Sequence, residues 1–269
     1  SVASNNTHRL YPSGQFGPRL MGGKYAASPR YVFTRLEPIA RMLFHPDDDA
    51  LLEFLDDDGQ SIEPSWYAPV LPLVLVNGAD GIGTGWSTSV PNYTPADSIA
   101  NVRRRLAGEA RVAMAPWWRG FTGAIAGKGL GDDATSFTVG GTLERVDDTT
   151  VRITELPVRV WTQGYKTMLE GMLTGDEKTP PTIKDFKENH TDTTVSFTVT
   201  LDAAKFAGAE GTDAALRKAF KLESSVSTTN MHLFDAGGQM RKYGSPLEIL
   251  AEFFESRLPL YAARKAHLL

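Results

Sequence analysis

A tyrosine directly behind an arginine, Arg30-Tyr31, closes the stretch Gly22-Gly23-Lys24-Tyr25-Ala26-Ala27-Ser28-Pro29-Arg30-Tyr31. The chemistry open to these residue types is attack by a phenol oxygen on a phosphodiester. A phenol ordinarily ionises near ~10, so a free tyrosine is a poor nucleophile at neutral pH. A neighbouring cation lowers the cost of the phenolate and stabilises charge on the transferring phosphate. Arg30 is adjacent, and Arg19 and Lys24 stand on the same glycine-broken segment. The product would be a phosphotyrosine ester that keeps the energy of the broken bond, so resealing needs no fuel. Alone, the pair is a weak signal, because most tyrosines are packing residues.

A second candidate follows a Leu/Val run: Asn77-Gly78-Ala79-Asp80-Gly81-Ile82-Gly83-Thr84-Gly85-Trp86. Glycines at 81, 83 and 85 fit neither G-x-G-x-x-G nor a lysine-bearing phosphate loop. What remains is one bulky apolar side chain, Ile82, held between glycines. Either it tucks into the core, or it stands out as a wedge that enters a base step and kinks duplex DNA. The aspartate triplets 47–49 and 56–58 raise a divalent-cation site. No partner glutamate stands at a suitable spacing, so solvated acidic turns are expected and no metal site is assigned. The chain has no cysteine, which removes disulfides, zinc-thiolate sites and thiol catalysis.

With 269 residues, 41% hydrophobic and 22% charged, the chain has the composition of a soluble globular protein, long enough for two modest domains. No apolar run reaches the ~18–20 residues of a membrane span, and no signal-peptide pattern opens the chain. It begins at Ser1 without a methionine and ends still apolar at Leu268-Leu269, so a fragment of a longer protein is expected. The net charge of −4 hides a polarised distribution. Residues 1–41 carry Arg9, Arg19, Lys24, Arg30, Arg35 and Arg41 against Glu37 alone. Residues 42–63 carry Asp47, Asp48, Asp49, Glu53, Asp56, Asp57, Asp58 and Glu63 with no Lys or Arg.

Elements able to position these residues follow from pattern. Residues 1–30 read as loop, broken by Gly14, Gly17, Gly22, Gly23, Pro12, Pro18 and Pro29. An extended segment is expected over 31–36, short helices over 39–44 and 50–55, a turn at 56–59, and a buried strand ending at Val76. A helix over 95–106 has Thr94 as N-cap and Pro95 at its first position. Alternating Thr/Val/Phe segments at 121–126, 136–146, 150–155 and 193–201 read as strands. A helix over 160–173 ends before Gly175, and 205–221 is partly helical. Residues 117–235 thus read as an α+β domain on an antiparallel sheet. Residues 245–269 read as a helix that Pro259 interrupts.

Several segments carry a family resemblance. They are Ser13-Gly14-Gln15-Phe16-Gly17, Gly22-Gly23-Lys24, Ala26-Ala27-Ser28-Pro29-Arg30-Tyr31, Asn77 to Trp86, and Glu155-Leu156-Pro157-Val158-Arg159 with Trp161-Thr162-Gln163. Further along come Glu177-Lys178-Thr179-Pro180, His190-Thr191-Asp192-Thr193-Thr194, Leu233-Phe234-Asp235 and Arg264-Lys265. In this order they resemble the breakage–reunion core of eukaryotic-type DNA topoisomerase II (type IIA). Gyrase A-type relatives share the Arg-Tyr pair and the glycine loop, but the later motifs fit the eukaryotic type better.

The resemblance implies an α+β fold: the end of a winged-helix domain with linking helices over 1–116, an antiparallel-sheet tower over 117–245, and the start of a coiled-coil C-gate helix over 246–269. It implies Tyr31 as the DNA-cleaving nucleophile, Arg30 as support for the scissile phosphate, Arg19 and Lys24 as DNA contacts, and Ile82 as the intercalating wedge. The activity implied is transient double-strand cleavage, strand passage and religation on double-stranded DNA by a homodimer in the nucleus, in chromosome segregation. Mg2+ and ATP are expected on Toprim and ATPase domains outside this chain, leaving the fragment alone inactive. Departures are Tyr25 where the family usually has Asp, Pro18 where a small polar residue is common, and Pro259 in a stretch usually continuously helical. The alternatives are a non-catalytic DNA-binding or scaffold fragment of the same fold, and an unrelated tyrosine recombinase, which the ordered motifs argue against.

Overall fold

A computed structural model describes residues 4–128, 134–175 and 180–269 of the chain. In chain order the elements begin with α1 (Pro38–Leu43), β1 (Phe54–Asp57), β2 (Gln60–Pro64), α2 (Leu73–Asn77), β3 (Ala79–Gly83), β4 (Trp86–Val90) and α3 (Pro95–Leu106). They continue with β5 (Ala124–Gly127), β6 (Ser136–Gly140), β7 (Thr142–Arg145), β8 (Thr150–Glu155), α4 (Thr162–Thr174), β9 (Ile183–Glu188) and β10 (Phe197–Leu201). Last come α5 (Asp213–Ala219), β11 (Glu223–Ser227), β12 (Met231–Phe234), β13 (Met240–Tyr243) and α6 (Pro246–Leu268). The mixture of helices and antiparallel pairings is the expected α+β class.

The chain forms two compact units that interleave in sequence. Pro12–Phe33 and Trp118–Val226 build one; Asn5–Tyr11, Thr34–Trp117 and Ser227–Leu269 build the other. The loop carrying Tyr31 therefore packs with residues far along the chain. Hairpin β12–β13, inside the segment expected as one tower, packs with β4 and the other early elements.

In the first unit the four-stranded sheet β7-β8-β10-β9 is antiparallel throughout, with Val199 opposite Val151 on one side and Phe186 on the other. Alternation puts Val151, Ile153, Phe197 and Val199 on the covered face, where Tyr165 and Leu169 of α4 pack against them. The Tyr165 hydroxyl donates to the Phe220 carbonyl at 2.7 Å, and burial pushes its phenol well up from the ordinary value. A three-stranded sheet, β11-β6-β5, has a smaller core of Trp118, Val139 and Val226.

In the second unit, Leu75, Val90, Tyr93, Met114, Met231, Tyr243, Ile249 and Leu250 form the core. Helix α3 starts as expected, with the Thr94 hydroxyl accepting from the Ala96 N–H. Helix α6 starts with the Ser245 hydroxyl accepting from Glu248 N–H. Near the other end of α6, Asp48 is buried between Arg257, at 2.6 Å, and Arg264, at 3.3 Å. Both guanidinium groups lie over the Tyr261 ring.

Four sequence expectations fail here. The first aspartate triplet is not a solvated turn, because Asp48 is the buried counterion of α6 and Asp49 pairs with Arg41 at 2.7 Å. Residues 50–55 form no α-helix: a 3₁₀ turn over Pro46–Leu51 ends within them and gives way to β1. The hairpin turn sets that outcome, since Asp58 and Gly59 both adopt positive φ, 50° and 80°, the arrangement that matches strand twist in a two-residue connection. The run ending at Val76 is α2 rather than a strand; the Pro72 carbonyl accepts from Leu75 and Val76 N–H, and Gly78 at φ 68° stops the helix. Pro259 does not interrupt α6. The proline ring removes the donor to the Glu255 carbonyl, and both residues lie on the exposed side of the helix.

Candidate functional site

The Tyr31 loop is bounded by a pairing in the second unit. Tyr11 N–H donates to Arg35 O at 2.8 Å and Glu37 N–H to Arg9 O at 2.9 Å, with Leu10 and Leu36 bridged antiparallel. The Arg35 guanidinium lies 4.7 Å over the Tyr11 ring. Between these ends the chain makes an excursion through residues 12–33, and its glycines allow tight turns where side chains could not follow.

A 3₁₀ turn, Arg19–Met21, is capped by Gly22 at φ 62°. A Cβ at Gly22 would stand 2.4 Å from the indole of Trp161, the residue just before α4. Position 22 thus needs glycine twice, for its backbone angle and for the ring against it. Lys24 N–H donates to Met21 O at 3.1 Å, and Ala27 N–H to Gln15 O at 3.0 Å, which closes the loop on itself. Pro29 then starts a second 3₁₀ turn, Pro29–Tyr31, held by Tyr31 N–H to Ser28 O at 2.9 Å.

The result is a tyrosine 69% exposed, on a short turn with fixed φ at its start. The Arg30 guanidinium carbon lies 5.0 Å from the centre of the Tyr31 ring. Both side chains, and that of Lys24, face solvent. Tyr31 lacks the surroundings of a packing tyrosine; Tyr165, buried and donating to a carbonyl, has them. Arg19 has a different environment from its neighbours. Its guanidinium pairs with the buried carboxylate of Glu155, at the end of β8. Strand alternation could have revealed that carboxylate, since Val151, Ile153 and Glu155 all fall on the covered face.

In the second unit, β3 and β4 form a hairpin with Gly83 opposite Trp86 and Ile82 opposite Ser87. The Trp86 indole lies across Gly83, where a Cβ would come within 2.5 Å of it. The same indole meets the Phe234 ring edge-on at 6.1 Å. Behind the hairpin, Ser89 N–H donates to Asn230 O at 2.7 Å and His232 N–H to the Thr88 hydroxyl at 3.1 Å. On this braced support Ile82 is 94% exposed, so it does not tuck into the core. Gly81 has open space where a Cβ would stand and no positive φ, so nothing inside the chain requires glycine there.

Elsewhere, Arg104 and Arg105 are engaged near the end of α3, with Glu109 and Glu255 respectively. Among the described residues no three His, Asp or Glu side chains come together as a metal-holding group, and no helix is long and apolar enough to cross a membrane. Glu177, Lys178 and Thr179 of the motif quoted above lie outside the described residues.

Known proteins resemble this chain in sequence and fold. The family model for the A-type subunit of DNA gyrase/topoisomerase IV matches residues 2–269. DNA topoisomerase 2-alpha of Gallus gallus is 50% identical over 269 residues, all of this chain and 17% of its own length. DNA topoisomerase 2 of Arabidopsis thaliana is 48% identical over 98% of this chain and 18% of its own. The chain therefore spans less than a fifth of these relatives. A crystal structure of the Plasmodium falciparum topoisomerase II DNA-binding, cleavage and re-ligation domain superposes with a TM-score of 0.90 at 43% identity, covering 99% of this chain and 35% of that one. With a family model matched along nearly its whole length, this chain belongs to the DNA gyrase/topoisomerase IV A-type family, and its likeness extends to the topoisomerase 2 proteins of eukaryotes.

Proposed function

We propose that this chain is the strand-cleaving part of a type II DNA topoisomerase, with Tyr31 as nucleophile. The observation that carries the reading is the exposed Arg30-Tyr31 pair on a loop anchored through Arg19 and Gly22 and closed by its own backbone hydrogen bonds. In the step proposed, the Tyr31 phenol oxygen forms a bond to a backbone phosphorus. One bridging bond from that phosphorus to a deoxyribose oxygen breaks. The phenol loses its proton and the leaving sugar oxygen gains one. Arg30 stabilises the negative charge that gathers on the phosphate. Reversal of the same step reseals the strand. Lys24 contacts the DNA backbone, and Ile82 enters a base step to bend the duplex.

The reading takes the working protein as a homodimer in the nucleus, with one Tyr31 for each strand of a double-stranded break, through which a second duplex passes. Magnesium, and the ATP that powers strand passage, belong in this reading to parts of the protein outside these residues.

The test is Tyr31→Phe in the full-length enzyme. The substitution removes one oxygen from an exposed ring, so DNA affinity is expected to stay within about twofold, since surface changes usually cost under about 0.5 kcal/mol. Covalent protein–DNA complexes should be lost. A complex surviving that change would overturn the assignment.

A further inference from the structure

The family resemblance puts Arg19 among the DNA contacts, but its guanidinium is already engaged. It pairs with Oε1 of Glu155, a residue only 2% exposed. The same oxygen accepts from the Leu156 N–H at 2.9 Å. Oε2 accepts from both the N–H and the hydroxyl of Thr122, each at 3.1 Å. Among the described residues every donor to this carboxylate except Arg19 is neutral, and a buried carboxylate is stable only when its charge is matched. Among the described residues Arg19 is the one cation brought within ion-pair distance of it. A phosphate drawing Arg19 away would leave Glu155 charged and unmatched inside the protein.

Position adds to this. Arg19 opens the 3₁₀ turn that Gly22 closes, and Gly22 rests on Trp161. Glu155 ends β8 and Trp161 precedes α4, so the first arm of the Tyr31 loop is pinned at two neighbouring points. From there the hydrogen bonds Lys24 to Met21 and Ala27 to Gln15 carry the constraint to the turn holding Tyr31.

We infer that Arg19 is a positioning residue whose partner is the Glu155 carboxylate, and that this buried ion pair, rather than a DNA phosphate, is what Arg19 serves. The inference rests on the reading of Tyr31 as nucleophile. Arg19 and Glu155 then act on cleavage through the placement of the loop, and they leave the electrostatic binding of DNA to Lys24 and other exposed cations.

The test uses the full-length enzyme with Arg19→Gln, Arg19→Lys, Glu155→Gln and the double variant Arg19→Gln/Glu155→Gln. For each, DNA affinity is measured over a range of salt concentrations and covalent complex is measured at saturating DNA. Losing a phosphate contact lowers the slope of log affinity against log salt by about one. The expected result is an unchanged slope in all variants, with covalent complex reduced about tenfold or more in both glutamine variants. The double variant should fall little below either single one, because residues in one ion pair couple. Arg19→Lys, which keeps the charge, should recover much of the loss. A slope reduced by about one in Arg19→Gln, or full cleavage in Glu155→Gln, overturns the inference, as does a double variant showing the product of two independent losses. If Glu155→Gln does not fold, the salt slope of Arg19→Gln decides alone. Wild-type enzyme that forms no adduct at Tyr31 would instead defeat the nucleophile reading, and the salt slope would still report on Arg19.

Discussion

Two segments of this chain use glycine to hold one large side chain out in solvent, and they do so by opposite means. The loop over 12–33 has no ladder of its own. It is stabilised from outside, by Trp161 against Gly22 and Glu155 against Arg19, and its turns close through scattered backbone bonds. The β3–β4 hairpin is stabilised from within, by a five-residue register and by an indole laid over Gly83, then backed by β12. The difference follows from what each side chain is proposed to do. A wedge must push against stacked bases, and a paired ribbon resists that load along its length. A nucleophile must sit at one distance from one phosphorus, so its loop is tied to a rigid sheet and helix at a few points.

The comparison predicts unequal sensitivity to small changes. The largest effect is expected at Gly22. Alanine there meets both a left-handed backbone and the Trp161 ring, at a combined cost of about 2–4 kcal/mol. Hydrogen exchange over residues 19–27 should accelerate accordingly, and covalent complex should fall with it. Adding Trp161→Ala should restore part of the exchange protection. Equal cost with and without the indole would show that Trp161 is not the obstacle.

Ile82→Ala should behave in the reverse manner. Its side chain touches solvent, so the hairpin's exchange protection should shift by under about 0.5 kcal/mol. DNA bending, read by fluorescence transfer across a labelled duplex, should drop, and cleavage should fall about tenfold because unstacking a base step costs a few kcal/mol. Unchanged bending would remove the wedge from the account.

The smallest effect is expected at Tyr25. It is 78% exposed with φ 66°, a backbone region that asparagine tolerates and bulky residues avoid. Tyr25→Asn should slow local exchange by about 1 kcal/mol, while cleavage stays within twofold. A large loss of cleavage would mean that the tyrosine itself contributes to the site.

These effects also mark where the sequence was readable. Local signals held up: Thr94-Pro95 began α3, Ser245-Pro246 began α6, Gly175 closed α4, and alternation found β8 and β10, while the single run expected over 136–146 splits at Gly141 into β6 and β7, which belong to different sheets. Local signals misled where a short apolar run had two meanings. Leu73 to Val76 has strand composition, but Pro72 and Gly78 confine it to one helical turn. The Asp58-Gly59 pair signals a turn, yet the acidic flanks at 54–57 and 60–64 lack the apolar alternation that marks the strands such a pair joins. Long-range facts were not legible at all. Asp48 looked like one carboxylate of a solvated run, and only the fold brings Arg257 and Arg264 to it. In the candidate site, the Arg30-Tyr31 pair and the glycine-flanked Ile82 could be picked out by eye. The engagement of Arg19 by Glu155, more than a hundred residues away in sequence, could not be.

The central claim is that Tyr31, and no other tyrosine of this chain, joins the DNA. Full-length enzyme would be trapped on a cleaved duplex, digested with nuclease and trypsin, and the nucleotide-bearing peptide sequenced by mass spectrometry. The account predicts a mass addition on Tyr31 within the peptide Tyr31-Val32-Phe33-Thr34-Arg35. An adduct found on any other residue, with that peptide unmodified, would contradict it.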